Sequence, residues 1–295
     1  MVPFYIYYSM FGFQRVGDLC WLAGDIQAKG FLIGGTAGRT TLNGEGLQHQ
    51  DGHSLILANT IPNCLSYDPT YAYEMAVIVH EGMRRMYENQ EGVFYYITAM
   101  NENYTHPAMP EGSEEGIIKG LYKLKSGGKH KVKAQLIGSG TILREVEAAA
   151  EMLEKDWNVS ANVWSATSVN ELVREGMDVD RYNRLHPTAE KKRSYISQCM
   201  DEQDGVVVAS TDYMRLYAEQ LRPWIKQRYV VLGTDGFGRS DTRERLRSFF
   251  EVDRYHVVVA TLSALADEGT IKYDVVAKAI KQYKIDADAT NPVKV

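Results

Sequence analysis

Cysteine is scarce. Cys20, Cys64 and Cys199 are the only three in 295 residues. They are odd in number and lack metal-ligand spacing, so neither a disulfide framework nor a zinc site is expected. Reduced thiols in a cytoplasmic chain are the expectation. A basic excess is missing as well: 33 Lys and Arg stand against 38 Asp and Glu, a net charge of −5. That leaves no electrostatic footprint for nucleic acid. No apolar run reaches the roughly 18 residues a membrane-spanning helix needs. The opening stretch MVPFYIYYSMFGF is apolar, but it has no basic start and no small-residue cleavage site, so it is not a secretory signal. It reads as a buried strand between loops. A chain opening so close to a buried strand is expected to have lost what came before. A dinucleotide fingerprint is also lacking. Gly138-Ser139-Gly140 follows a strand and opens a helix, but the third glycine is absent, so an ordinary turn is expected over a phosphate loop. Asp235-Gly236-Phe237-Gly238 echoes a kinase metal loop without the catalytic loop or nucleotide loop that should accompany it. It reads instead as a tight loop at an interface.

What is present is ordinary in bulk and unusual in one place. Hydrophobic content of 44% with 24% charge fits a folded chain of one large or two smaller domains. Between Gly34 and Ser54 the chain runs GGTAGRTTLNGEGLQHQDGHS, with six glycines, His49, His53, Arg39, Glu45 and Asp51. It has neither a helical nor a strand period, and apolar runs flank it. Long ordered loops of this kind are usually functional. Glycine lets backbone approach a ligand, and imidazole exchanges protons near neutral pH. The plainer alternative is a loop with two surface histidines.

The loop sits at the end of a short strand, Phe31 to Ile33, after a helix over 15–28. In that helix Val16, Leu19, Cys20, Leu22, Ala23 and Ile26 recur at helical spacing and are expected to pack on the core. A strand over 60–67, a helix over 71–88 capped by Asp68 or Thr70, and a strand over 93–98 follow. The stiff stretch NENYTHPAMP, 101–110, is a second site loop or a linker. Residues 116–124 read as a short connection and SGGKHKVK as a solvated turn, so the domain boundary is expected near 110, giving units 1–110 and 111–295. The second unit alternates strand (133–137, 163–166, 206–209, 229–232) with helix (142–155, 169–175, 212–221, 240–250, 273–283), and 256–266 is helical or mixed. Ser240 or Asp241 is the expected cap of 240–250. Repeated β–α units imply a mostly parallel sheet covered by helices.

Four stretches in this order, PFYIYYSMFGFQRVGDLCW, GGTAGRTTLNGEGLQHQDGHS, NENYTHPAMPEG and GTDGFGRSDTRERLR, resemble the homodimeric pyruvate dehydrogenases that use thiamine diphosphate. The resemblance runs over essentially the whole chain and corresponds to the C-terminal third of such a protein. It implies an α/β fold: an incomplete pyrimidine-binding domain followed by a transketolase-like C-terminal domain. It implies thiamine diphosphate and Mg2+ as cofactors, pyruvate as substrate, a homodimer, and transfer of a two-carbon unit to the lipoyl group of a dihydrolipoyl acetyltransferase. By resemblance, Phe11 packs on the aminopyrimidine ring, Tyr8 lies near the reacting centre, and His49 stands beside the substrate adduct. Glu45 and Arg15 match a charged network linking two active sites, and His53 holds the loop. The family's pyrimidine-protonating glutamate and its metal motif find no match. No glutamate precedes Glu45, and no metal ligand is assigned in this chain. Inactivity in isolation is therefore expected. The alternative is a non-catalytic dimerisation or complex-docking module.

Overall fold

A computed structural model describes residues 1–295. Two sheets carry it. In the first, β1 (Phe4–Tyr8), β2 (Phe31–Gly35), β3 (Cys64–Tyr67) and β4 (Phe94–Ala99) are all parallel, in the order β1-β2-β4-β3. Between them lie α1 (Phe13–Asp25), α2 (Ser54–Asn59) and α3 (Ala72–Met83), the last continuing as a π turn over Arg84–Glu88. Strand β4, FYYITA, is buried at every position but its last, as its aromatic and β-branched content predicts for a sheet interior.

Strand β1 departs from expectation. It forms the outer edge of the sheet, and Phe4, Tyr5, Ile6 and Tyr8 are exposed. The α1 stripe departs with it. Only Phe13 and Cys20 are buried there, whereas Val16, Leu19, Leu22 and Ile26 face outward. The helical period is real, but periodicity reports an apolar face without saying what covers it.

The second sheet contains β5 (Tyr122–Lys125), β6 (Val132–Gly138), β7 (Val159–Ser165), β8 (Val206–Ser210) and β9 (Tyr229–Leu232), in the order β5-β7-β6-β8-β9. All pairs are parallel except β5 with β7. Its helices, with the one leading into β5, are α4 (Glu114–Lys119), α5 (Leu143–Trp157), α6 (Val169–Leu185), α7 (Tyr195–Met200), α8 (Leu216–Glu219), α9 (Arg243–Phe249), α10 (Arg254–Asp267) and α11 (Tyr273–Tyr283). The expected connection at 116–124 is instead helix α4, ended by left-handed Gly120, and edge strand β5. Both are too short to show a period. The helix expected over 212–221 shrinks to α8, because Asp212 and Tyr213 are drawn into the interior. Two caps also differ. Glu74, not Asp68 or Thr70, accepts the amides of Thr70 and Tyr71 at the start of α3. Thr242, not Ser240 or Asp241, caps α9 through the Arg245 amide.

The two sheets share one apolar cluster, in which Phe13, Leu55, Phe94 and Tyr96 pack with Ile137, Trp164, Val207 and Tyr213. Polar contacts seal the seam at the carboxyl ends of the strands. The Asp68 amide donates to Thr167 O at 2.7 Å, and the Gly140 amide donates to Asp68 O at 3.2 Å. Thr70 Oγ1 donates to Gly140 O at 2.6 Å. The turn at Gly138–Thr141 is thus filled by the first sheet's own chain. The 101–110 stretch runs over the same seam: Glu102 pairs with Arg144 and Arg247, and Tyr104 donates to Thr70 O.

Candidate functional site

The carboxyl end of an open α/β strand is where ligands usually bind, and the candidate residues collect at the ends of β1 and β2. Tyr8 is the last residue of β1, and Phe11 closes the 3-10 turn Ser9–Phe11 that follows. Arg15 lies in the first turn of α1, with its guanidinium 5.2 Å from the Phe11 ring centre. The glycine-rich segment is a loop from Thr36 to His53, interrupted by a 3-10 turn at Gly46–Gln48 that presents His49. Its two ends belong to β2 and α2.

His49 meets both aromatics. Its ring centre is 5.0 Å from that of Phe11 and 5.6 Å from that of Tyr8, edge-on to each. Tyr8 and Phe11 are 5.9 Å apart. Edge-to-face contact is a favoured aromatic arrangement, so the three rings form a mutually supported cluster. Glu45 Oε2 is 3.1 Å from His49 Nδ1. The two do not form a hydrogen bond, and Nδ1 has no other partner. The structure therefore brings Tyr8, Phe11, Arg15, Glu45 and His49 together. His53 stands apart, one residue before α2, with its Nε2 3.4 Å from Arg39 Nη2. Burial, then the Arg39 charge, lower its pKa.

The loop motif includes Asp51 and Arg39, but their supporting roles, and those of Gln14 and Gln50, come from the fold. Asp51 is fully buried and accepts the amides of His53 and Ser54 and the Ser54 hydroxyl. Gln14 Nε2 donates to Asp51 at 3.0 Å, tying α1 to the end of the loop. The Asp-x-x-Ser spacing before α2 was a usable sign of an aspartate cap. Arg39 is buried and donates to Gly236 O at 2.7 Å. Gln50 is buried, donating to Leu42 O and accepting the Arg239 amide. Neither gives a local signal, because one partner of each lies almost two hundred residues away.

Around the seam, burial decides the titration of two aspartates and ion pairing that of one glutamate. Asp68 and Asp212 are both pushed up to about 7 by burial. Thr98 Oγ1 donates to Asp68 at 2.6 Å, and the Thr40 amide donates to Asp212. Burial also pushes Glu102 up, but Arg247, Thr141 and Arg144 outweigh it and leave its pKa below the usual value. No group of three or more His, Cys, Asp or Glu side chains is arranged to hold a metal ion.

Chemically, the cluster offers an imidazole, a phenol and a phenyl ring, with Arg15 and Glu45 at its border. It suits a planar aromatic ligand with a proton-exchanging group beside it.

The pyruvate dehydrogenase E1 component middle domain family matches residues 1–107, and the transketolase-like C-terminal domain family matches residues 120–253. The pyruvate dehydrogenase E1 component of Pseudomonas aeruginosa is 63% identical over 295 residues, covering 99% of this chain and 33% of that protein. The Escherichia coli and Cupriavidus necator components are 63% and 60% identical, again over 33% of their length. The chain thus spans a third of the curated relatives it matches. Among solved structures, transketolase from Campylobacter jejuni has a TM-score of 0.64 at 17% identity, over 89% of this chain and 36% of that one. Transketolase from Leishmania mexicana has 0.66 at 16%, over 90% and 34%. At that identity the likeness speaks for the transketolase-like α/β fold alone.

Proposed function

This chain belongs to the pyruvate dehydrogenase E1 components, and we propose that it supplies the pyrimidine-side wall of their thiamine diphosphate site. The observation that carries this is the convergence of Tyr8, Phe11 and His49 at the ends of β1 and β2. The whole enzyme, in this reading, decarboxylates pyruvate and passes the two-carbon unit to the lipoyl group of a dihydrolipoyl acetyltransferase.

The residues present fit one end of the cofactor. The partly exposed Phe11 ring matches a planar aminopyrimidine. Nothing here fits a diphosphate held through Mg2+, since no carboxylate or histidine group is arranged for a cation. We assign those ligands, and the pyrimidine-protonating glutamate, to residues outside these 295. When bound, thiamine diphosphate would supply the carbon nucleophile and electron sink for decarboxylation of a 2-oxo acid. The chain's own residues have simpler tasks. Phe11 orients the ring by its face. His49, with Glu45 Oε2 3.1 Å from its Nδ1, is placed to exchange a proton with substrate. Tyr8 packs against His49 and narrows access for water. Arg15, over Phe11, borders the site and is a candidate link to a second active site in a homodimer. Free thiols at Cys20, Cys64 and Cys199 fit a reducing compartment, so we place the enzyme in the cytoplasm, serving pyruvate from glycolysis.

The test is His49→Ala in the full-length enzyme carrying this segment. Turnover or acetyl transfer should drop by about tenfold or more, as loss of a positioned acid–base group does. An unchanged rate removes His49 from the reaction. A non-catalytic dimerisation or docking module is the second reading, and the exposed apolar residues of β1 and α1 favour it. That module would leave activity of the complex indifferent to His49.

A further inference from the structure

Three segments distant in sequence are stacked behind His49. The first is the turn Gly46–Gln50. The second is the loop from Gly233 to Asp241, after β9. The third is the segment Asn291–Val295. Gly46 has φ +52, and a Cβ there would lie 2.4 Å from Ser240 Oγ. A Cβ on Gly238 would lie 2.9 Å from Gly46 O and from Gln50. The two backbones therefore touch where neither can carry a side chain. Gln50 fastens them: its Oε1 accepts the Arg239 amide at 2.8 Å, and its Nε2 donates to Leu42 O at 2.7 Å. On the far side of the loop, Arg239 Nη2 donates to Val295 O, and its guanidinium lies over the Phe249 ring at 5.6 Å. Asn291 caps the turn Pro292–Lys294 through the Val293 amide, and Pro292 is buried against the Gly236 backbone. No hydrogen bond joins the 291–295 segment to the His49 turn directly; both contact the 233–241 loop.

We propose that Gln50 and Arg239 are positioning residues for His49, with Asn291–Val295 clamping the loop that holds the His49 turn in place. This deepens the proposed function and rests on His49 as its acid–base group. The physical reason is local stability. A glycine-rich turn has few apolar contacts of its own and opens easily, while an acid–base group misplaced by about 1 Å can lose on the order of a hundredfold in rate.

The experiment uses the full-length enzyme carrying Arg239→Ala, Arg239→Lys or Gln50→Met. Hydrogen exchange is followed by peptide in the unliganded protein, with the β-strand amides as the control for folding. For Arg239→Ala and Gln50→Met, amides of 46–50 should exchange about tenfold faster or more, with both sheets unchanged. Turnover should fall by about fivefold or more with KM for pyruvate held. Arg239→Lys, which keeps a donor for Val295 O, should recover most of both effects. Faster exchange confined to 233–241 and 291–295, with 46–50 unaltered, overturns the clamp. Faster exchange at 46–50 with turnover unchanged, in an enzyme that His49→Ala disables, overturns the positioning role. An inert His49→Ala would instead fault the functional reading, and the exchange data would still decide whether the clamp exists.

Discussion

Asp68 and Asp212 show how a single side chain answers to the whole fold. Each is buried where two parts of the chain meet, and each is pushed up to about 7 by that burial. Relative to an unfolded aspartate, the native side chain keeps its proton over roughly pH 4 to 7. The unfolded chain binds fewer protons in that window, so stability falls as pH rises through it and levels above it. Asp68→Asn removes one such titration. The variant should gain in melting temperature over the parent as pH is raised from about 5 to 8, by several degrees. Equal shifts at both pH values would show that Asp68 is charged in the native state throughout. The sequence announced Tyr8, Phe11 and His49 through long motifs, yet said little about Asp68 beyond a possible helix cap. Its surroundings come from Thr98, Gly140 and Tyr213, which only tertiary packing brings near.

At the scale of elements, α1 is the instructive case. Its apolar spacing predicts a helix correctly, and the same spacing placed that helix face inward. Leu19 and Leu22 are instead 61% and 49% exposed. In the 295-residue chain, Leu19→Lys with Leu22→Lys should therefore change unfolding free energy by no more than about 0.5 kcal/mol. A packed stripe would lose several times that, at about 2–5 kcal/mol per large-to-small core change. Thermal melts would decide, and sedimentation should show the charged variant less self-associated, because it replaces two exposed leucines with charge. Long periodic helices such as α5 and α11 were readable from spacing alone. Helices α2, α4 and α7 have six residues each. Elements that short are held by packing rather than by their own propensity, which is why they left no pattern to read.

For the molecule as a whole, alternating strands and helices foretold a parallel α/β fold but not how two sheets would meet. The seam is fastened by Arg247, nearly buried, with Glu102 and Glu145 beside it. Arg247→Met should cost about 1–3 kcal/mol, since it takes one of two arginines from each of Glu102 and Glu145, which keep Arg144 and Arg254. Denaturant unfolding should then split into two transitions in place of one, because the apolar cluster alone must couple the sheets. A single transition at an unchanged midpoint would assign the coupling to Tyr213 and its neighbours instead. The manner of meeting has its own consequence. The parallel strands of the second sheet all end against residues of the first unit or the loops that touch it: Gly138–Thr141 at Asp68, Thr167 at Asp68, Asp212 at Thr40, and the 233–241 loop at Gln50. An open α/β sheet commonly receives a guest molecule in that crevice. Here the host's other half already sits in the guest's chair, so the second sheet serves as furniture for the first rather than as a second table.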